Sequence, residues 1–408
     1  MANPKKPAKP VKPQNDSVEF RKFVGLKNVV ERERLGPDEL ELAINVDLDD
    51  VGQLRRRQGS RRVATGKWSN LMTALNGRIY AVNNGSLGRI YPNFSFAALA
   101  LGFNQTDILA NVQVADNIYF SSPSQSGIIN TAQDTVGPWK GPSLPPPTIA
   151  DPLDPNAAPA PALPAGKWWY SPVVNPRATL PPIGGKILGT PPQAEFLAYF
   201  HGRIYLAQGR TLWHTELYNY NYVNSTKGFY QFEGDITMVG SVTDGIYVGT
   251  TEGLWFMSLA SRIEGHPAGA FKRVRVMDSG VIPGSMVYIP GELANPAQVG
   301  LNEDTPLKVS IMFMTTAGYC VGQDGGQAVN FSEDKFIFPD SASASAMYRF
   351  QQGIHQYVTV LNSAGSPMTS TRIGDYVDAT LRKAGTWQES SDGIKITETL
   401  VATYIPHH

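Results

Sequence analysis

The sequence predicts an all-β fold built from a repeated unit, because a short phrase recurs along the chain. The phrase is one or two turn residues followed by Ile, Tyr and an apolar residue. Close copies lie at residues 76–82 and 201–207, and looser copies at 115–120 and 243–249. A tight turn followed by β-branched and aromatic residues is typical of the start of a strand. A strand start that repeats within one chain indicates a repeat architecture.

Marker tyrosines, the first four of which belong to copies of this phrase, are spaced by about one propeller blade. They are Tyr80, Tyr119, Tyr205, Tyr247, Tyr319 and Tyr357. Most of their intervals lie near 40 residues, which is a four-stranded blade, or near twice that length. We attribute the double intervals to a missed marker. The sequence therefore predicts a β-propeller of about six or seven four-stranded blades, with an N-terminal arm and hairpin and a Pro-rich insertion.

The composition excludes several broad classes of protein. Lys plus Arg equals Asp plus Glu at 35 each, so net charge draws the chain to neither nucleic acid nor membrane. The single cysteine, Cys320, excludes an intramolecular disulfide and fits a reducing compartment. The chain has no apolar run of about 18 residues, so we expect no membrane-spanning segment. The Lys/Pro-rich N-terminus lacks the apolar core of a secretion signal.

Composition divides the chain into five predicted segments. They are a disordered Lys/Pro arm at 1–17, a strand–helix–hairpin block at 18–63, the first part of the propeller at 64–122, the Pro-rich insertion at 123–192, and the rest of the propeller at 193–405. The arm either stays solvated or pairs with a neighbour or an anionic surface during assembly. We expect the last strand, 394–401, to close a blade. If strands from opposite ends of the chain close the ring, its partner strand lies near Val63 or in the 43–57 hairpin.

The N-terminal block combines a predicted helix with a predicted hairpin. Residues 35–43 carry Pro37 and acidic residues in a first turn, which favours a short helix. Residues 43–49 alternate apolar and polar side chains and return through 53–57 as a hairpin. The spacing of Asp47 and Asp49 superficially suggests a calcium loop. An EF-hand is rejected because the later ligand positions hold Val51 and Gln58.

Two groups of residues are candidates for an interface with another subunit or partner. The arginines of the hairpin could face phosphate, but alternate residues of a strand point to opposite faces, which favours a solvated or subunit-pairing surface. The aromatic run inside the insertion either anchors it to the propeller or meets a partner. The complete candidate set is Phe23, Arg55, Arg56, Arg57, Arg61, Arg62, Trp168, Trp169 and Tyr170.

The sequence lacks the signatures of common catalytic sites, so we predict a protein without enzymatic activity, catalytic residues, bound metal or cofactor. It has no nucleophile elbow, phosphate-binding loop or His-Glu-x-x-His motif. His201 and His214 flank one predicted hairpin and could approach each other. A glycosidase would need paired carboxylates. The candidates for such a pair are Asp235, Asp244, Glu252 and Asp324.

The N-terminal block carries three motifs in succession. They are Phe23-x-Gly25-Leu26-x-Asn28, then Arg34-Leu35-x-Pro37-x-Glu39-Leu40, then Asn45-Val46-Asp47-x-Asp49-x-x-Gly52-x-Leu54-Arg55-Arg56-Arg57-x-Gly59. Together they resemble the opening of the tail hub or nozzle proteins of short-tailed bacteriophages, also called tail tubular or packaged-DNA stabilisation proteins. The resemblance covers about 40 residues, and the repeated phrases agree with it along the rest of the chain.

The resemblance implies a structural protein of the virion tail, made in the host cytoplasm. Such proteins form a ring, usually a homohexamer, below the portal and the adaptor of the head–tail connection. The channel retains genomic DNA, contacts it non-specifically and passes it during ejection, and the outer surface carries tail fibre or needle proteins. The alternative is a propeller adhesin or glycan-binding module. In that case Tyr218, Tyr220 and Tyr222 would stack on sugars.

Overall fold

A computed structural model of the chain describes seven main stretches and several short pieces. The main stretches are 63–104, 107–141, 186–258, 271–290, 309–332, 341–351 and 354–363. The short pieces are 23, 25–27, 34–40, 46–48, 53–56, 167–170 and 399–404. They belong to two compact units, one of residues 1–58 with 334–336 and the other containing the rest of the chain. The two units are described separately.

The first unit begins with two short parallel strands, β1 (Gly25–Leu26) and β2 (Glu39–Leu40). The Glu39 carboxylate accepts hydrogen bonds from Lys27 Nζ at 2.7 Å and from the Gly36 amide at 2.9 Å. The Glu39 amide in turn donates to the Gly36 carbonyl, which closes a turn immediately before β2. The helix predicted at 35–43 is therefore wrong over its described residues, because pairing with β1 holds this segment extended.

The predicted N-terminal hairpin is confirmed. Strand β3 (Val46–Leu48) pairs antiparallel with β4 (Leu54–Arg56), and the register places Asp47 opposite Arg55. The arm at 1–17 lies outside the described residues, so its predicted disorder stays a prediction.

The described residues of the second unit form six antiparallel sheets in chain order, which we call blades 1 to 6. Blade 1 consists of β5 (Trp68–Thr73), β6 (Ile79–Asn83), β7 (Ser86–Ile90) and β8 (Phe96–Leu101). Blade 2 consists of β9 (Ala110–Val114), β10 (Asn117–Ser121), β11 (Ser126–Asn130) and β12 (Thr135–Pro138). Two strands of the insertion follow, β13 (Lys167–Tyr170) and β14 (Lys186–Gly189).

Blades 4 to 6 follow the same up-and-down path, whereas blade 3 departs from it. Blade 3 consists of β15 (Phe196–Phe200), β16 (Arg203–Gln208), β17 (Thr211–Glu216), β18 (Asn219–Asn224) and β19 (Phe229–Gln231). In this blade both β18 and β19 pair with β17. Blade 4 consists of β20 (Ile236–Ser241), β21 (Gly245–Thr250), β22 (Leu254–Ser258) and β23 (Lys272–Met277). Blade 5 consists of β24 (Val287–Pro290), β25 (Val309–Thr315), β26 (Gly318–Gly322) and β27 (Ala328–Asn330), with a 3₁₀ turn at Asp324–Gly326. Blade 6 consists of β28 (Ser341–Gln351), β29 (Ile354–Ser363) and β30 (Thr399–Tyr404).

The all-β propeller prediction is confirmed, and each blade carries one marker tyrosine. All six markers are buried, with exposed fractions of 6% or less. The predicted missed marker is wrong, because the described residues contain six sheets for six markers. The first double interval arises from the insertion between Tyr119 and Tyr205. The second arises partly because Tyr319 stands on the third strand of its blade, whereas Tyr247 stands on the second.

Apolar side chains between consecutive blades form the core. Five buried clusters join blade 1 to 2, 2 to 3, 3 to 4, 4 to 5 and 5 to 6. Tyr80 and Val82, for example, pack against Ile118 and Ile129 of blade 2. Within the described stretches, no such cluster joins blade 6 to blade 1. Among the described residues, each inner blade therefore contributes both faces to these clusters, and the two terminal blades contribute one each.

The final strand completes a blade, as predicted. Strand β30 pairs antiparallel with β29, with Val401 opposite Val360, and so joins blade 6. Pairing of its other edge with a strand near Val63 or within 43–57 stays a prediction. The β28–β29 hairpin is long, with strands of 11 and 10 residues, and its β29 edge provides the ladder that β30 uses.

The predicted start of the insertion, residue 123, falls inside blade 2. Strands β11 and β12 continue that blade to Pro138, because their residues pair in register with β10 and with each other. Trp139 then packs in the cluster between blades 2 and 3, where its Nε1 donates to the Tyr220 carbonyl at 2.9 Å. The Pro-rich core of the insertion, 144–165, lies outside the described residues.

Candidate interaction surfaces

The arginine group of the hairpin is only partly within the described residues. Arg55 and Arg56 lie on β4, and Arg56 is exposed. Phe23 is half-buried. Arg57, Arg61 and Arg62 lie outside the described residues. A subunit-pairing surface at this hairpin therefore stays a prediction, with Arg56 as its exposed member.

The aromatic run of the insertion forms a strand attached to blade 3. Trp168, Trp169 and Tyr170 lie on β13, which pairs antiparallel with β14. Strand β14 pairs in turn with β18, where Leu188 stands opposite Asn224. Main-chain hydrogen bonds thus fix this run to the edge of the blade, in agreement with the anchoring alternative. Contact with a partner stays a prediction.

The three tyrosines proposed as a sugar platform do not share one exposed surface. Tyr218 sits in the β17–β18 turn and is 74% exposed, but Tyr222 is 4% exposed. The Tyr220 ring packs against Tyr119 at 5.7 Å and Tyr199 at 6.1 Å between ring centroids. The Tyr222 ring is instead buried beside Gly141. The stacking platform predicted for this run is therefore wrong, and Tyr218 alone remains available.

The histidines that flank the β16–β17 hairpin have separate structural surroundings. His214 Nδ1 lies 3.1 Å from Arg203 Nη1 and 3.1 Å from the Thr215 carbonyl. The His201 ring packs edge-on against Phe200, with 4.3 Å between centroids. In the described part of the chain, no group of three or more His, Cys, Asp or Glu side chains could hold a metal ion.

Two of the candidate carboxylates form a reciprocal link between blades 4 and 5. Asp244 Oδ2 accepts a hydrogen bond from the Gly325 amide at 2.9 Å, and Asp324 Oδ1 accepts one from the Thr243 amide at 2.8 Å. Burial raises the pKa of Asp244, and the charge of Asp324 raises it further, against the lowering effect of the Gly325 amide. Each carboxylate accepts a hydrogen bond from a backbone amide in the other blade's turn, so the pair stabilises the junction between blades 4 and 5.

The other two candidate carboxylates, Asp235 and Glu252, interact with nearby side chains. Asp235 lies 3.4 Å from Arg210 Nε, and both side chains are 66% exposed. Glu252 Oε1 accepts a hydrogen bond from Thr251 at 3.4 Å. Neither residue belongs to the Asp244–Asp324 link.

An aromatic groove on blade 1 was not predicted from the sequence. We call it the blade 1 groove. It has a volume of about 480 Å³ and is lined by Val63, Ala64, Thr65, Trp68, Asn83, Phe94 and Phe96. Trp68 and Phe96 meet edge to face, with 5.4 Å between centroids. The available signal was the aromatic–polar–aromatic run 94–96 beside the Pro92-Asn93 turn, which the repeat phrase does not include.

Comparisons with known proteins identify fold-level likenesses only. No protein-family model matches the chain, and neither does any curated protein. Among solved structures, BBS1N in complex with ARL6DN is 10% identical, with a TM-score of 0.40 over 76% of this chain and 78% of that chain. The calcium-binding protein regucalcin of Agrobacterium tumefaciens is 12% identical, with a TM-score of 0.33 over 76% and 85%. Hsv2 of Kluyveromyces lactis is 11% identical, with a TM-score of 0.34 over 84% and 91%.

The propeller assignment accordingly rests on the six sheets of this chain. No helix in its described parts is long and apolar enough to span a bilayer.

Proposed function

We propose that this protein is a non-enzymatic structural protein of a phage virion, the ring-forming tail hub or nozzle. In this role it continues the DNA channel below the portal and adaptor, retains the packaged genome and attaches the distal tail parts. The observation that carries the proposal is the N-terminal motif block, followed directly by a propeller. Both features belong to the family that the block resembles.

The described pieces of the block support the proposal because the motif residues are those that organise it. Gly25 and Leu26 of the first motif pair with Glu39 and Leu40 of the second as β1 and β2. The third motif supplies both strands of the β3–β4 hairpin. The residues that carry the resemblance are therefore the ones whose strands pair in this block.

The charge balance also fits a conduit for DNA. Each phosphate that a protein neutralises adds affinity, and therefore resistance to sliding. A chain with 35 basic and 35 acidic residues has no net attraction for a polyanion. Such a balance suits a channel that must release DNA quickly. Subunits of the proposed ring would meet through two different patches, as heterologous contacts require.

Mass photometry of the purified full-length chain tests the proposed assembly. We expect a discrete species of about six copies of the 44.4 kDa chain. The Arg56→Glu variant should shift the population toward monomers by reversing an exposed charge on the hairpin. Lys272→Glu, an exposed reversal on blade 4, is the matched control and should leave the ring intact.

Virion analysis provides the second arm of the test. The chain should be found in purified tails of particles that encode it, at the same copy number as the ring in solution. A strictly monomeric chain that is absent from particles would refute the proposal.

A further inference from the structure

The blade 1 groove is an aromatic surface on the terminal blade of the series. The Trp68 indole is fixed because its Nε1 donates to the Thr65 carbonyl at 3.2 Å. Its ring meets Phe96 edge to face, as described above. Val63 and Phe94 complete the apolar lining and are 52% and 53% exposed. The groove therefore presents several aromatic rings to solvent.

Phe94 holds an unfavourable backbone conformation at the edge of this groove. Its φ is +62°, in the left-handed region that Gly and Asn adopt more readily. Its amide donates to the Tyr91 carbonyl at 2.8 Å, which closes the β7–β8 turn. A bulky side chain in this region costs free energy, and such positions cluster at binding sites. Core packing does not require this residue, because half of its side chain is exposed.

A buried polar atom lies beneath the groove. Asn83 lines the groove, but its Oδ1 is buried and has no hydrogen-bond partner among the described residues. Gly66 covers this oxygen, because an added Cβ at Gly66 would stand 2.4 Å from it. Recognition at the groove therefore rests on its aromatic lining.

The N-terminal arm of the chain has the matching chemistry. Pro4, Pro7, Pro10 and Pro13 recur at every third residue. A polyproline II helix has three residues per turn, so prolines at this spacing would share one face in that conformation. A polyproline II backbone makes no internal hydrogen bonds, so its N–H groups can donate to a partner. Aromatic grooves recognise such proline faces.

We infer that the blade 1 groove binds the proline face of residues 4–13 from a second copy of this chain. The choice of a second copy rests on the proposed ring function, because an arm exchanged between neighbours would join subunits through two different patches. The insertion is a weaker candidate. There the three-residue spacing of Pro152 and Pro155 is interrupted at Ala158, whereas the arm keeps it over four prolines.

Single-cysteine cross-linking of the full-length chain tests this inference. The natural Cys320 is buried, so an introduced cysteine is the reactive one. We would mix Val11→Cys and Thr65→Cys chains, each carrying a different affinity tag, under mild oxidation. The expected product is a disulfide-linked pair that carries both tags. Asp235→Cys replaces Thr65→Cys in the control, because Asp235 is exposed on the chain between blades 3 and 4.

A matched pair of substitutions tests the role of the groove. Phe94→Asn should lower the yield of the mixed product several-fold, because it removes an aromatic wall. Asn is well suited to the turn, so this variant should melt no lower than the wild type. Tyr218→Asn is the control, since Tyr218 is also an exposed aromatic residue at positive φ, 54°, but lies outside the groove. It should leave the yield unchanged.

The outcomes separate this inference from the proposed function. A mixed product that depends on Phe94 supports the exchanged arm. A yield of the mixed disulfide no higher than that of the Asp235→Cys control would refute binding of the arm in the blade 1 groove. A disulfide that forms only within one chain carrying both Val11→Cys and Thr65→Cys would show that the arm of the same chain occupies the groove. That result would overturn the second copy as the occupant. Mass photometry of the same samples reports the ring independently, so a ring without cross-links would refute the inference and leave the proposed function standing.

Discussion

Tyr80 of blade 1 donates a hydrogen bond from its hydroxyl to Asp134 Oδ1 of blade 2 at 2.7 Å. Asp134 lies in the turn between the third and fourth strands of its blade, and its other oxygen accepts from Arg89 at 2.6 Å. Tyr247 of blade 4 reaches the equivalent turn of blade 5, where it donates to the Gln327 carbonyl at 2.9 Å. The tyrosine of the repeated phrase therefore serves as a core residue and, in these two blades, also as a link to the next blade.

Replacing Tyr80 with Phe should destabilise the protein while preserving the packing of the ring. A hydrogen bond to a charged acceptor contributes about 1.5–3 kcal/mol, so we expect a loss in that range. Urea unfolding followed by tryptophan fluorescence measures it. Tyr91→Phe is the control, because Tyr91 is 37% exposed and lies beyond the end of β7. Equal midpoints for both variants would contradict the role of the link.

The same link should make part of the stability depend on acidity. Burial raises the pKa of Asp134, but hydrogen bonds from Tyr80 and Arg89 and the charges of Arg78 and Arg89 outweigh it, so the pKa lies below its usual value. A lowered pKa in the folded state stabilises the fold above the unfolded pKa of about 3.9. That stabilisation is lost as pH falls through the folded pKa.

Asp134→Asn provides the test of this dependence. The unfolding midpoint of the wild type should fall more steeply than that of the variant between about pH 5 and pH 2. At neutral pH the variant should be the less stable of the two, because its amide carries no charge for Arg89. Parallel midpoint curves over this range would refute the assignment.

Asp244 should show the opposite behaviour. Burial and then the charge of Asp324 raise its pKa, so the folded state binds this proton more tightly than the unfolded state. The resulting stabilisation is present below the unfolded pKa and is lost as pH rises through the folded pKa. Asp244→Asn removes the buried charge but keeps an oxygen that can accept from Gly325.

We therefore expect Asp244→Asn to raise the unfolding midpoint at pH 7, with a gain that shrinks as the pH falls. Thermal unfolding at pH 7 and pH 4 measures the difference. Asp235→Asn changes an exposed carboxylate and should alter neither midpoint. A lower midpoint for Asp244→Asn at pH 7 would show that its charge is needed by the junction of blades 4 and 5.

The blades could be predicted because one local signal determines them. Turn chemistry followed by Ile-Tyr fixes the start of a strand, and the buried tyrosine is the same residue that the pattern identifies. The N-terminal segment at 35–40 was mispredicted for a physical reason. Pro37 and Glu39 suit the first turn of a helix, but Glu39 accepts a hydrogen bond from Lys27, which directly follows β1. Pairing of this kind has no local sequence signal.

The groove was also hidden from sequence analysis. Phe94 lies in a turn conformation that its residue type disfavours, so turn preferences give no indication of it. The partner of β30 within blade 6 is β29, about 40 residues earlier in the chain, and periodicity alone does not identify such a pair. Non-local contacts thus set the features that carry the functional proposals, whereas local patterns set the blades.

A glycine beneath an aromatic ring should be essential for packing blade 2. Gly127 stands directly opposite Phe120 in the ladder, and an added Cβ would lie 2.4 Å from Phe120 Cζ. Phe120 belongs to the cluster that joins blades 1 and 2 and is 2% exposed, so its ring cannot move without disturbing the core. Gly127→Ala should therefore lower the free energy of unfolding by about 1–3 kcal/mol, as overpacking does.

Gly137→Ala, in the adjacent strand, is the matched control for this substitution. An added Cβ at Gly137 meets nothing within 4 Å. It should be neutral or raise stability by up to about 1 kcal/mol, because alanine restricts the unfolded chain. Denaturant unfolding of both variants beside the wild type gives the comparison. A Gly127→Ala midpoint equal to that of Gly137→Ala would mean that the Phe120 ring adapts, and that blade 1 and blade 2 pack less tightly than their contacts indicate.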